Sequence, residues 1–181
     1  MIQLILQSFY FILPAYIANM APVIFKWLPI LNSPIDHGKL FRGARLFGEH
    51  KTYRGLLVGT LTGILIVFLQ HQYSVYFKDI ELMPYGDFTN QKIILIGICF
   101  GAGALLGDLI KSFFKRRMKI KDGHSWFPFD QLDLVIGALI AVSPFYTLPV
   151  ANLVAVLLIT PVLHFVTNVF AYLIGLKKVW W

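Results

Sequence analysis

Five long apolar stretches constrain this chain more than any other feature: residues 3–30, 55–77, 92–113, 131–147 and 150–174. A helix needs about 20 apolar residues, with a range of roughly 17–25, to cross the hydrocarbon core of a bilayer. The fourth stretch is short and carries Pro144 near its end, and only a few residues separate it from the fifth. Those two are expected to form a tight antiparallel hairpin. Composition agrees, because 57% of the 181 residues are hydrophobic and only 14% are charged, far from the balance of a soluble domain. The expected fold class is all-α: a polytopic membrane helix bundle of about five transmembrane helices, in a single domain over residues 1–181. The N-terminus lacks a basic n-region and a small-residue cleavage site, so the first stretch reads as a retained span and not a signal peptide.

Charge placement supports an odd number of spans. Lys39, Arg42, Arg45, Lys51 and Arg54 lie between the first and second stretches. Lys111, Lys115, Arg116, Arg117, Lys119 and Lys121 follow the third, and Lys177 and Lys178 end the chain. With five spans, these thirteen of the 16 basic residues share one side, and only Lys78 and Lys92 stand opposite. The positive-inside rule then puts the N-terminus outside and the C-terminus in the cytoplasm. The expected location is the plasma membrane, with the polar loops 32–54 and 114–130 facing the cytoplasm and building a site there. Trp180 and Trp181, beside the two terminal lysines, read as an interfacial anchor. Such a basic surface could serve nucleic acid, but cations beside membrane helices more often serve topology and anionic head groups, so no nucleic-acid partner is expected. Cys99 is the single cysteine and cannot form an internal disulfide.

Within the spans, Gly55, Gly59 and Gly63 repeat every four residues, as do Gly103 and Gly107; small residues at this spacing let helix backbones approach closely. The first span carries Pro14, Asn19, Pro22 and Lys26. An amide in hydrocarbon needs a partner, and for Asn19 an interhelical hydrogen bond and a substrate contact are both open. Lys26 reads as a snorkelling side chain.

The stretch from Gly107 to Asp133 gathers the groups that hold phosphate or metal. Asp108, Lys111, Ser112 and Lys115 fall at i, i+3, i+4 and i+7, one face of a helix, and Asp130 and Asp133 repeat the i, i+3 spacing at the start of the next run. A loop that only sets topology has no use for carboxylates where the chain enters or leaves the membrane. Aspartates without imidazole or thiolate suit Mg²⁺ better than zinc. A structural salt-bridge network with Lys111, Lys115 or Arg116 remains equally open from the residues alone. Lys51, Thr52 and Arg54 could bind phosphate, although Lys51-Thr52 is no Walker A motif because no GxxxxG precedes it. His37, His50, His71, His124 and His164 show no metal spacing, and His71 and His164 are expected to contact water or head groups. Ser8, Ser74 and Ser143 lack the His and Asp of a serine hydrolase.

The segments PAYIANMAP (14–22), PIDHGKLF (34–41), GEHKTYRG (48–55), GDLIKSFFKRR (107–117) and FDQLD (129–133), followed by LVIGAL, occur in order across most of the chain. Together they resemble the CDP-archaeol synthases, relatives of the CDP-diacylglycerol synthases. The resemblance implies a Mg²⁺-dependent cytidylyltransferase. A membrane lipid phosphate, an ether-linked isoprenoid glycerol phosphate in that family, attacks CTP and yields a CDP-lipid and pyrophosphate. It implies that Asp108, Asp130 and Asp133 hold Mg²⁺ and, with Lys111, form the catalytic centre. Lys51, Arg54, Lys111, Lys115 and Arg116 would neutralise the nucleotide and lipid phosphates, with Asn19, Thr52 and Ser112 beside them. The implied partners are CTP, the lipid phosphate and the bilayer. A CDP-alcohol phosphotransferase is disfavoured because its DGxxAR…GxxxDxxxD signature is absent. A non-enzymatic transporter or scaffold would spread polar residues through the depth of several helices, whereas here they crowd one interface.

Overall fold

The computed structural model describes residues 1–83, 85–120, 124–173 and 175. Five helices account for the apolar stretches: α1 (Ile2–Ile24), α2 (Tyr53–Gln72), α3 (Asn90–Arg117), α4 (Phe129–Val142) and α5 (Val150–Leu173). Between α1 and α2 lies a small antiparallel hairpin of β1 (Leu40–Phe41) and β2 (Ala44–Arg45). The terminal anchor residues Lys177, Lys178, Trp180 and Trp181, and Lys121, lie outside the described residues.

Four helices, α1, α2, α3 and α5, are long and apolar enough to cross a membrane. The fourth expected span is shorter: α4 has 14 residues, roughly 21 Å of helix at 1.5 Å per residue against a hydrocarbon core of about 30 Å. Pro144 accounts for its end, since proline has no N–H with which to continue the helical ladder, although Ser143 before it still has helical dihedrals (φ −51°, ψ −31°). The chain then turns, with Phe145 and Tyr146 donating to the Val142 carbonyl at 2.8 and 3.1 Å. At the other end the sequence places a loop from residue 114, but α3 continues to Arg117, so Lys115 and Arg116 are carried on a helix.

α2 reverses the pattern of a soluble helix, with its small residues inside and its large apolar ones outside. On α2, Gly55, Gly59 and Gly63 are buried while Leu57, Leu61, Leu65 and Phe68 are exposed. Backbone polar groups are satisfied within each helix, so association rests on close packing, which small residues allow. α3 is the centre, packed against α1, α2 and α4, with Ile93, Ile96, Phe100 and Ala104 fully buried. Phe11 of α1 meets Phe100 edge-on at 5.3 Å. α3 and α4 touch backbone to backbone: a methyl group added at Gly107 would collide with the Asp133 carbonyl, and one at Gly137 with the Gly103 carbonyl. α1 and α5 run parallel in a constant register, with Asn152 Nδ2 donating to Ser8 Oγ at 3.1 Å and Tyr16 bonded to Thr160 at 2.6 Å.

Candidate active site

The close approach of α3 and α4 has a chemical consequence. It sets Asp108 and Lys111, near the end of α3, against Asp130 and Asp133, in the first turns of α4. The Lys111 ammonium lies 3.1 Å from Asp108, 2.8 Å from Asp130 and 3.0 Å from Asp133. Lys115 pairs with the second Asp130 oxygen at 2.8 Å, and Lys51 reaches across from the α1–α2 segment to pair with Asp108. Side-chain exposure is 17% for Asp108, 13% for Asp130 and 6% for Asp133, so the network is largely withdrawn from solvent. Three carboxylates against three ammonium groups leave it electrically balanced. Buried pairs of this kind add little net stability, and ionisable side chains at membrane depth most often mark function.

Lys51 is delivered by a folded loop. Asp36 is 2% exposed and accepts hydrogen bonds from the backbone N–H groups of Gly38, Phe47 and Gly48 at 3.0, 3.2 and 3.1 Å. The Arg45 guanidinium closes on the same carboxylate at 2.5 and 3.3 Å. Gly43, at φ +77°, makes the left-handed turn between β1 and β2. Arg117, from the last turn of α3, donates to the carbonyls of Ala44 and Arg45 at 3.1 and 2.7 Å and lies 4.4 Å from the Phe113 ring. Bonds from Ile35 N to the Lys51 carbonyl (2.8 Å) and from Tyr53 N to the Ser33 carbonyl (3.2 Å) pin the returning strand. Thr52 then caps α2, its hydroxyl accepting the Gly55 N–H at 3.1 Å. Burial pushes the Asp36 carboxyl up, but the Arg45 guanidinium and the three backbone donors outweigh it and hold the group well below the usual carboxylate range.

Two cavities flank Asp108. One, of about 270 Å³, is lined by Lys51, Thr52, His50 and Ile35 from the loop, Pro22 and Val23 from α1, and Leu105 and Leu109 from α3. The other, of about 220 Å³, is lined by Lys111, Lys115, Asp130, Asp133, His124, Ser125, His164 and Asn168. Asp108 and Asn19 belong to both. Asn19 and His164 also line the upper end of an apolar groove of about 220 Å³ between α1 and α5, whose walls include Phe9, Leu13, Ile17, Met20 and Leu163.

The candidate residues therefore separate. Asp108, Asp130, Asp133, Lys51, Lys111, Lys115, Thr52 and Asn19 come together around these two cavities. Arg54, expected to neutralise phosphate, does not line these cavities: it is 9% exposed, and its guanidinium donates to the carbonyls of Lys26 and Leu28, both at 2.8 Å, tying down the chain that leaves α1. Ser112 is buried on α3, and neither it nor Arg116 lines these cavities. Sequence reasoning gave Ser125 and Asn168 no role and placed neither His124 nor His164 in the site; these residues carry no spacing signal because they arrive from a loop and from α5. It also gave Asp36 and Arg117 no role; the glycines at 38, 43 and 48 around a lone aspartate were the available clue.

Asp108, Asp130 and Asp133 are the residues expected to hold Mg²⁺. The donor set is all carboxylate oxygen, which suits Mg²⁺, but the point on which the three aspartates converge is held by the Lys111 ammonium. Among the described residues, no three His, Cys, Asp or Glu side chains are grouped as a metal would need.

Comparison with known proteins gives the family. The family model described as CDP-archaeol synthase matches residues 1–181. The chain belongs to the CDP-archaeol synthase family. A CDP-archaeol synthase of Methanococcus maripaludis strain C7 is 39% identical over 182 residues, covering 100% of this chain and 99% of the relative. That of Pyrococcus furiosus is 38% identical, with 98% of each chain covered. A solved structure described as an intramembrane enzyme for archaeal membrane lipids biosynthesis superposes with a TM-score of 0.73 at 31% identity, over 91% of this chain and 94% of that one. The family membership and the four long apolar helices make this a multi-pass membrane protein.

Proposed function

We propose that the protein is a CTP-dependent cytidylyltransferase that converts an archaeal-type lipid phosphate, unsaturated 2,3-bis-O-geranylgeranylglycerol 1-phosphate, and CTP to CDP-archaeol and pyrophosphate. The observation that carries this reading is the junction at Asp108 and Asn19, where a cavity lined by the polar loop meets a lysine- and aspartate-lined cavity that shares Asn19 and His164 with an apolar groove. One substrate comes from water and the other from the bilayer, and such a junction serves both. The first cavity takes the nucleotide, and the second takes the reacting phosphates.

An oxygen of the lipid phosphate attacks the α-phosphorus of CTP. A new phosphorus–oxygen bond forms as the bond from the α-phosphorus to the bridging oxygen breaks, and pyrophosphate leaves with the electron pair. The nucleophile is already ionised, so positioning and charge neutralisation suffice without a strong general base. Lys51, Lys111 and Lys115 stand beside the transferring phosphates, and Asn19 and Thr52 orient them. The lysines are now paired with carboxylates, so arrival of the triphosphate exchanges one anion for another around each ammonium group. Asp108, Asp130 and Asp133 would hold Mg²⁺ once the Lys111 ammonium turns from between them towards a phosphate, and the ion when bound would supply further neutralisation of phosphate charge. The site faces the cytoplasm of the plasma membrane, with the N-terminus outside; the basic loops on the site side support this orientation.

The test is to incubate detergent-solubilised protein with labelled CTP, Mg²⁺ and a panel of ether and ester lipid phosphates. Lipid-dependent release of pyrophosphate with formation of a CDP-lipid is expected, and it is expected to stop when Mg²⁺ is chelated. No release with any lipid would overturn the reading.

A further inference from the structure

α4 stands between two apolar grooves. The first, between α1 and α5, takes Leu134 as its α4 wall. The second, of about 580 Å³, lies between α3 and α4 and is more than twice as large. Its walls include Ile110 and Phe114 of α3 and Ile136 and Ile140 of α4, all of them exposed. Its floor is the backbone contact between Gly107 and Gly137, from which no side chain rises.

Bilayer hydrocarbon can fill any open groove of this kind, and this one is set apart by its connection to the reaction centre. Lys111 and Asp133 line both the groove and the aspartate–lysine cavity, so a phosphate held at the Lys111 ammonium brings the chain it carries to the groove. The loop-side end of the groove is built from the same parts. Trp126 and Phe129 pack ring to ring at 4.4 Å, and the Trp126 backbone N–H donates to Asp130 at 2.6 Å. Asp130 in turn pairs with Lys111 at 2.8 Å, so the aromatic rim and the reaction centre hold one another in place.

We infer that the α3–α4 groove seats one isoprenoid chain of the lipid phosphate, with the phosphate at Lys111 and the chain running past Ile136 and Ile140 along α4. The inference rests on the cytidylyltransferase reading for the identity of the lipid and adds to it the place of a chain. That lipid carries two chains. The α1–α5 groove meets the same cavity through Asn19 and His164, so the two grooves give each chain a wall of its own beside one phosphate. A wide groove with a bare floor also leaves room for the methyl branches of an isoprenoid.

Photolabelling of the full-length protein, without CTP, by a lipid phosphate whose geranylgeranyl chains carry a diazirine tests this. Mass spectrometry is expected to find label on Ile110, Ile136 or Ile140, displaced by excess unlabelled lipid phosphate and not by the same excess of phosphatidylcholine. Ile140 is 69% exposed, so added bulk there stays outside the bundle. Ile140→Trp is expected to cut the displaceable label and to raise the KM for lipid phosphate about tenfold, as when a few methylenes lose their buried contact, with the KM for CTP within about twofold of wild type. Label confined to α1 and α5, equal displacement by phosphatidylcholine, or an unchanged lipid KM in Ile140→Trp overturns the inference. A joint rise of both KM values marks a packing defect and overturns it too. If the wild-type groove takes displaceable label but no lipid phosphate releases pyrophosphate, the cytidylyltransferase reading falls and the groove stands as a chain site. Normal pyrophosphate release with the label elsewhere overturns the inference alone.

Discussion

Asp36 and the trio Asp108, Asp130 and Asp133 are all buried carboxylates beside cations, and they differ in what holds them. Asp36 is gripped by three backbone N–H groups and a two-pronged guanidinium, donors whose positions are fixed by the peptide chain and a planar fork. The trio is held chiefly by lysine ammonium groups, point charges on flexible stems. The first arrangement shapes a loop and leaves no room for exchange. The second can trade partners when phosphate arrives. The same side chain thus serves as scaffold or as machinery according to the rigidity of its donors.

The largest separation between the two should come from removing charge at the trio. Asp133→Asn is expected to lower kcat by about a hundredfold or more while the protein elutes and melts much as wild type does, because Lys111 keeps Asp108 and Asp130. Near-normal turnover would remove Asp133 from the reaction centre. Asp108→Asn is expected to behave alike and to change the Mg²⁺ dependence.

A second substitution attacks the helix contact that assembles the trio. Gly107→Val forces a side chain into the Asp133 carbonyl, so α3 and α4 must part at the point where their carboxylates meet Lys111. A fall in kcat of at least tenfold and a loss of about 1–3 kcal/mol in stability are expected, measured by turnover and by thermal unfolding in detergent. A fully active valine variant would show that the trio does not need this contact.

Weakening the scaffold should do less. Asp36→Asn turns an acceptor facing Phe47 and Gly48 into an N–H donor, and breaks a charged pair with Arg45. Local stability of about 2–3 kcal/mol is expected to be lost, seen as faster hydrogen exchange over residues 36–48. The KM for CTP should rise about tenfold as Lys51 loses its fixed position, with kcat at saturating CTP little changed. An equal collapse of kcat would erase the distinction between scaffold and machinery.

The sequence made the trio legible and the scaffold almost invisible, for a physical reason. Asp108, Lys111 and Lys115 share a helical face and FDQLD repeats the spacing, so periodicity showed the two half-sets, and the family resemblance implied that they would meet. The small-residue repeats foretold the close helix contacts. The placement of Arg54 was not legible, because a cation in a basic loop reads the same whether it points at phosphate or at the carbonyls of Lys26 and Leu28. Asp36 and Arg117 act through backbone atoms of a loop with no period, and His164 and Asn168 enter the site only through the parallel register of α1 and α5. Neither leaves a pattern in the chain. Pro144 signalled the end of α4, and the helix is short because it stops at Val142 although it begins as early as Phe129.

The smallest effect concerns pH, and it contrasts two loops at opposite ends of the bundle. The Asp36 carboxyl is held below its ordinary value, so its stabilising contribution is complete above the unfolded value of about 3.9. That contribution is lost only as pH falls through the lower folded value. Glu81, in the α2–α3 connection, accepts the Tyr85 N–H at 2.5 Å. Its carboxyl is pushed up, by burial first and then by Asp87, against the opposing Tyr85 hydrogen bond and the nearby His71 and Lys78. Its sign is opposite: relative to the unfolded chain the fold favours its protonated form. Its contribution is greatest at acid pH and declines as pH rises from the ordinary glutamate value of about 4.3 towards the raised folded value. Hydrogen exchange, corrected for the intrinsic effect of pH, is expected to show unchanged protection over residues 36–48 from pH 8 down to 5. Protection around Tyr85 should increase over the same descent, and Glu81→Gln should abolish that increase. Parallel pH responses in the two loops would mean that the donors around Asp36 are no more rigid than those around Glu81.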